Sequence, residues 1–194
     1  MKIQRVCVYC ASSNQCNKTY LESAWRLGVE LAKDGLTIIY GGGKAGLMGH
    51  LADGALSKGG KVIGILPRFM DSLEWGHKGI TELRIVDDLQ QRNRMMIYES
   101  DAFVVLPGGC GTIMELIEVI TWKRLGLHTK PIIIVNLLGF YNPCIEQLEK
   151  SITEKFMDER HRSMWTIINS IDEVIDGINN APKWSDNAIE FAKL

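Results

Sequence analysis

The stretch from Asp101 to Glu115 restricts the fold more than any other. Asp101-Ala102-Phe103-Val104-Val105-Leu106 is a short apolar run of the kind buried in a parallel sheet, and after Glu115 the residues Leu116, Ile117, Val119 and Ile120 recur at helical spacing. Between them lies Pro107-Gly108-Gly109-Cys110-Gly111-Thr112. The unit is therefore a strand, a glycine turn and a helix. Gly108, Gly109 and Gly111 are expected to take positive φ and to leave no side chains between backbone and ligand. The helix that follows directs unpaired N–H groups and its dipole at the same spot, which suits an anion such as a phosphate. A competing reading exists: Thr112-x-x-Glu115 is also a capping box, in which Glu115 serves only the helix. Three glycines directly upstream favour the ligand, because a plain cap needs no open loop.

The same alternation recurs along the chain. Ile3 to Tyr9 reads as a first strand, followed by the small polar turn Cys10-Ala11-Ser12-Ser13-Asn14. Helical spacing covers Tyr20 to Asp34, and Leu36 to Tyr40 is a second strand. That strand enters Gly41-Gly42-Gly43-Lys44-Ala45-Gly46-Leu47-Met48-Gly49, a second glycine turn whose glycines serve either tight packing or ligand approach. A helix over Leu47 to Lys58, a strand over Lys61 to Leu66 and an irregular loop over Phe69 to Gly79 follow. Next come a strand at Leu83 to Val86 and a helix at Asp88 to Ser100. Past the 101–115 unit the pattern predicts a strand at Pro131 to Asn136, a helix at Pro143 to Phe156, a strand near Met164 to Ile168 and a helix at Asp172 to Ile178. Strands alternating with helices predict an α/β fold, a doubly wound parallel sheet flanked by helices, in one domain over residues 1–181 with a polar tail at 182–194.

With 194 residues, 46% of them hydrophobic, and a net charge of -1, the chain can bury one substantial core and shows no basic clustering for a nucleic-acid polymer. No apolar run approaches the roughly 20 residues of a membrane span, and no signal peptide is recognisable, so a cytoplasmic location is expected. Five cysteines, at 7, 10, 16, 110 and 144, fit free thiols, and Cys7-x-x-Cys10 lacks the second pair of a metal site. His50 and Asp53 are spaced i, i+3 without a third ligand, so no metal is expected. Neither glycine turn matches the dinucleotide fingerprint or the P-loop, and no cofactor is expected. His128 and His161 read as solvated surface, as does Arg94; Arg92 and Met96 lie one turn apart on one helix face, an unusual pairing for core or surface.

Gly41-Gly42-Gly43 with Gly46-Leu47-Met48-Gly49, and later Pro107-Gly108-Gly109-x-Gly111-Thr112-x-x-Glu115, resemble the Lonely Guy family of cytokinin riboside 5'-monophosphate phosphoribohydrolases, long labelled lysine-decarboxylase-like. The resemblance runs from about Arg5 past Asn142. It implies a Rossmann-like fold, a homodimer, and hydrolysis of the N-glycosidic bond of an adenine-type nucleoside monophosphate to free base and ribose 5-phosphate. It also implies a catalytic pair at Arg92 and Glu115, and substrate contacts at Glu74, at Gly109, Cys110, Gly111 and Thr112, and at Thr121. Two departures stand out: Asn93 follows the arginine where lysine is usual, and Cys10-Ala11-Ser12-Ser13 replaces a C-G-S-S turn.

Cleaving such a bond passes through an oxocarbenium-like ribose, which calls for negative charge beside the sugar and an anchor on the phosphate. The loop amides of Gly108 to Gly111 with Thr112 are expected to hold the phosphate, near Ser12, Gly42 and Gly43 at neighbouring strand ends. Glu115, held ionised by the helix N-terminus, is expected to stabilise charge or activate water, and Arg92 to orient phosphate or ribose. Met48 and Met96 either wall a base pocket or fill the core. Two other readings compete. Amino-acid decarboxylation needs a Schiff-base lysine, and the only tempting pair, His77-Lys78, sits in a loop. A non-catalytic nucleotide or cofactor carrier would keep the glycine loops without needing Arg92 and Glu115 together.

Overall fold

The computed structural model describes residues 2–73, 75–185 and 187–192. Seven strands form one sheet, β1 (Arg5–Tyr9), β2 (Thr37–Tyr40), β3 (Val62–Pro67), β4 (Glu82–Val86), β5 (Ala102–Val105), β6 (Ile132–Val135) and β7 (Thr166–Ile168). Their order is β4-β3-β2-β1-β5-β6-β7, and every neighbouring pair is parallel. The chain therefore winds outward from β1 in one direction and from β5 in the other. The crevice at the carboxyl ends of β1 and β5 is the switch point where ligands bind in such sheets.

Side chains alternate along each buried strand and feed two cores. Val6 and Val8 face one side, where they pack with Ile38, Val104, Leu27, Leu51 and Val174; Cys7 and Tyr9 face the other, with Ile65, Phe103, Met96, Leu116 and Ile120. The first core lies under α1 (Lys18–Lys33), α2 (Gly46–Leu56) and, past the single turn α3 (Arg68–Asp71), α7 (Val174–Asn179). The second lies under α4 (Leu89–Glu99), α5 (Cys110–Arg124) and α6 (Asn142–Thr153). Cys7 and Cys10 fall in opposite cores, so the C-x-x-C spacing brings no thiol pair together.

Two glycines set how closely α1 and α2 approach. A Cβ on Gly28 would lie 2.1 Å from the Leu51 carbonyl oxygen, and one on Gly54 would lie 2.1 Å from that of Trp25. The helices touch backbone to backbone.

Several boundaries differ from the sequence reading for local reasons. Helix α2 stops at Leu56 because the chain turns through Gly59 at φ +69, and α6 stops at Thr153 ahead of Lys155 at φ +66. The expected helix from Asp172 begins as a 3-10 turn over Ile171–Glu173. The loop after β3 opens with one helical turn, α3, and then pairs with the first glycine turn through a Gly43–Gly76 bridge. His128 and His161 are buried, contrary to the solvated surface expected of them: each ring takes a backbone partner, Val119 O at 2.9 Å and Asp158 N at 2.8 Å respectively. Arg94 is exposed. The segment after Pro182, read as a polar tail, folds back on the body. Trp184 Nε1 donates to Lys123 O at 2.8 Å, Ala188 is fully buried, and Ile189–Ala192 form a last helical turn, α8.

Candidate active site

At the switch point the two glycine turns behave differently. Two of the first three N–H groups of α2 are already engaged: Gly46 N donates to Asn14 Oδ1 at 2.8 Å and Met48 N to Ala11 O at 3.1 Å. Gly46, at φ +61, sits directly on the backbone of Ser12 and Ser13. Gly42 and Gly43 are similarly engaged, Gly42 O accepting from His77 N and Gly43 O from the Tyr40 hydroxyl. This turn docks α2 onto the β1 loop.

The N-terminus of α5 is open instead. Its N-cap is Gly109, with no side chain capping the helix, and the N–H groups of Cys110, Gly111 and Thr112 precede any intrahelical carbonyl. A Cβ at Gly109 or Gly111 would meet nothing within 4 Å. The capping-box alternative is overturned by this geometry, because Thr112 lies inside the first turn and not at the cap. Its hydroxyl folds back over Gly108, whose Cβ would lie 2.1 Å from Thr112 Oγ1. The expectation of positive φ at Gly108, Gly109 and Gly111 is also corrected: among the described residues, left-handed glycines are Gly35, Gly42, Gly46, Gly59, Gly126 and Gly139. In the 108–111 turn glycine supplies space, not handedness.

One turn into α5, Glu115 is buried against α4. Its Oε1 lies 2.8 Å from Arg92 Nη1, and both side chains are almost fully withdrawn from solvent, at 5% and 8% exposure. Arg92 Nε donates to Ile65 O at 3.2 Å, and the next residue extends the contact, Asn93 Nδ2 donating to Glu118 Oε2 at 2.8 Å. The two helices are thus joined by an ion pair and, beside it, an amide–carboxylate hydrogen bond. Asn93 Oδ1 is buried without a partner among the described residues.

Burial pushes the Glu115 carboxyl above its ordinary value, Arg92 pulls it back, and Glu118 adds to the rise. The expectation that the helix terminus holds this carboxylate down fails because Glu115 is the sixth residue of α5, past the first turn where the dipole acts. Around the pair, the Cys7, Cys10, Tyr9 and Tyr141 side chains are buried and all raised in pKa by burial. The Tyr141 hydroxyl also donates to Leu106 O at 2.7 Å, which braces the end of β5.

Of the other residues singled out, Ser12 is exposed at the end of β1, and Met48 is half-buried over Gly41 and Gly43. Met96 is core. Gly109, Cys110 and Gly111 are exposed around the helix start. Thr121 is not brought to the pair. It lies about 9 Å further along the axis of α5, exposed, its hydroxyl bonded to Ile117 O at 2.7 Å. Glu74 lies outside the described residues. His50 bonds the carbonyl of its own helix at Gly46, and Asp53 pairs with His77 at 3.0 Å; among the described residues no three metal-binding side chains converge. Sequence reasoning missed Glu118, Asn93 as its partner, and Gly41 beside Arg92. The i, i+3 spacing of Glu115 and Glu118 was the available signal. No described helix is long and apolar enough to cross a membrane.

Comparison with known proteins places the chain in a family. A profile described as possible lysine decarboxylase matches residues 48–178. A cytokinin riboside 5'-monophosphate phosphoribohydrolase of Arabidopsis thaliana is 37% identical over 174 residues, spanning 90% of this chain and 82% of its own. Another from the same plant is 40% identical over 163 residues, 84% and 76% of the two chains. A probable one of Oryza sativa subsp. japonica is 38% identical over 175 residues, 90% and 72%. Among solved structures, the molybdenum cofactor carrier protein of Chlamydomonas reinhardtii superposes with a TM-score of 0.70 at 20% identity, covering 93% of this chain and 98% of that one. The molybdenum cofactor binding protein of Rippkaea orientalis gives 0.68 at 20% identity, covering 92% and 97%. These last two share the fold. By sequence, the chain belongs to the family of cytokinin riboside 5'-monophosphate phosphoribohydrolases, whose members cleave the nucleotide N-glycosidic bond.

Proposed function

We propose that this chain hydrolyses the N-glycosidic bond of a purine nucleoside 5'-monophosphate such as AMP or its cytokinin-type relatives, giving free base and ribose 5-phosphate, with Arg92 and Glu115 as the catalytic pair. The observation that carries this reading is a buried Arg92–Glu115 pair one turn behind an uncapped, glycine-opened helix start. The amides of Cys110, Gly111 and Thr112, opened by Gly108 and Gly109, bind the 5'-phosphate, with Ser12 at the neighbouring strand end and Met48 toward the base. Gly42 and Gly43 shape the site through the turn they form.

The ribose C1' is then presented to Glu115. As the C1'–N bond breaks, its electron pair leaves with the base and positive charge gathers on the ribose, where the carboxylate opposes it. Water supplies the oxygen that bonds to C1' and one of its protons passes to Glu115; the departing base takes a proton from solvent, and Glu115 returns its own to solvent, which regenerates the carboxylate. A carboxyl with raised proton affinity suits that transfer, because a base works best with its pKa near the working pH. Arg92 keeps the carboxylate ionised until then and fixes its direction.

A carrier on the same fold would need an anion cradle but no buried Arg–Glu pair behind it. Incubating purified protein with AMP and assaying adenine separates the two. Glu115→Gln is expected to lower the rate at least about a hundredfold with the fold intact, and a wild-type rate in that variant overturns the assignment.

A homodimer belongs to the same proposal. Ile113, Met114, Ile117, Thr121 and Leu125 form an exposed, largely apolar stripe along α5 beginning at the cradle. A second copy on this stripe would give Thr121 a substrate to touch, that of the partner. Sedimentation of Ile117→Glu tests it: a monomer is expected, and an unchanged dimer refutes the interface. The five cysteines stand free, which fits a reducing cytoplasmic setting.

A further inference from the structure

In the first glycine turn, one glycine makes room for a side chain without taking the left-handed conformation. Gly42 has φ +77, but its neighbour Gly41 is outside the left-handed region, so its backbone suits any residue. What Gly41 provides is room. A Cβ there would lie 2.3 Å from Arg92 Nη2, 3.3 Å from Arg92 Cζ and 3.1 Å from Met48 Cε. The other edges of the guanidinium are engaged by Ile65 O and Glu115 Oε1. Two edges of the planar group are held by these partners, and on the third side the absence of a Cβ on Gly41 leaves the room that Nη2 occupies.

We infer that Gly41 is a positioning residue for the hydrolysis, acting through Arg92. The inference rests on the proposed role of Arg92 and Glu115 and deepens it. The end of Arg92 is flexible, so an added methyl displaces the guanidinium while the turn keeps its path. Activity and stability should therefore separate at this position. They cannot separate at Gly28, where the obstacle is backbone.

The experiment compares AMP hydrolysis and thermal melting of Gly41→Ala with wild type. A melting temperature within about 2 °C and a rate lowered about 10- to 100-fold are expected, since small displacements of catalytic groups cost rates of that order. On an Arg92→Lys background, where the side chain has no Nη2, adding Gly41→Ala should change the residual rate less than about twofold, the non-additivity of two changes acting on one group. Gly177→Ala, whose Cβ would meet nothing nearer than 3.6 Å, should keep the rate, with a melting temperature unchanged or raised by about 1–4 °C through helix propensity. A wild-type rate in Gly41→Ala, a loss matched by unfolding, or the full loss repeated on Arg92→Lys overturns the inference. A wild-type rate in Glu115→Gln would instead bring down the reading beneath it. An inactive Glu115→Gln beside a fully active Gly41→Ala would bring down this inference alone.

Discussion

Replacing Arg92 with methionine keeps much of the apolar stem and removes the charge, leaving the Glu115 side chain at 5% exposure with no ion-pair partner among the described residues. Breaking a buried ion pair from one side costs about 3–5 kcal/mol, because the remaining charge is uncompensated. In a chain of this size that corresponds to a fall of about 6–20 °C in melting temperature. The penalty must depend on pH, and its sign follows from the direction of the Glu115 shift. Burial and Glu118 raise its proton affinity, and the one opposing influence is Arg92. Without Arg92 the folded-state pKa rises further above the unfolded value, so the folded protein holds a proton that the unfolded chain has released. The destabilisation is then complete above the folded pKa and shrinks as pH falls toward the ordinary carboxylate range, by at most about 1.4 kcal/mol per unit. Urea unfolding of wild type and Arg92→Met at pH 8 and pH 5 measures this as a difference, in which groups common to both chains cancel. The gap should be larger at pH 8. The double variant Arg92→Met, Glu115→Leu should recover most of the loss at both pH values, since an apolar pair of similar volume often replaces a buried ion pair without penalty. An equal gap at both pH values, or no recovery in the double variant, would show that the pair is not buried as described.

Two further expectations concern other parts of the molecule. Gly108→Ala should destabilise by about 1–3 kcal/mol, because its Cβ meets the Thr112 side chain, whereas Gly111→Ala has open space and should gain about 0.5–1 kcal/mol from helix propensity while raising KM for AMP; melts and kinetics in the reverse order refute the cradle geometry. Lys123 is 1% exposed, donates to Lys130 O at 2.8 Å, and burial lowers its pKa to about 8. Its cost is therefore present below pH 8 and is lost as pH rises toward the unfolded value. Wild-type stability relative to Lys123→Met should improve by about 2–3 kcal/mol between pH 7.5 and 10, and a flat difference would mean that the amine is solvated.

Strand and helix order was legible in the sequence because buried parallel strands are short apolar runs, and the runs ending at Tyr9, Tyr40 and Leu106 each lead into a small-residue turn. The switch point followed from that order. Less legible was what each glycine does. Gly108, Gly109 and Gly111 were expected to be left-handed and are not, while Gly46 is left-handed to dock α2 on Ser12 and Ser13, a contact between segments over 30 residues apart. The same applies to Thr112-x-x-Glu115: whether that spacing caps a helix or faces an arginine depends on where α4 lies, which local sequence does not encode. His128 and His161 read as surface because their partners, Val119 O and Asp158 N, are backbone atoms that leave no mark on composition.

The contact between α1 and α2 has a consequence well away from any nucleotide. Because Gly28 and Gly54 let two helices meet without intervening side chains, a single methyl on either would pry α2 outward, and α2 begins at the turn that seats the guanidinium. A library of random substitutions sorted for turnover should therefore lose members on the back of the molecule as sharply as at its mouth. Because the obstacle at both positions is backbone, trimming a neighbouring side chain should not bring such variants back.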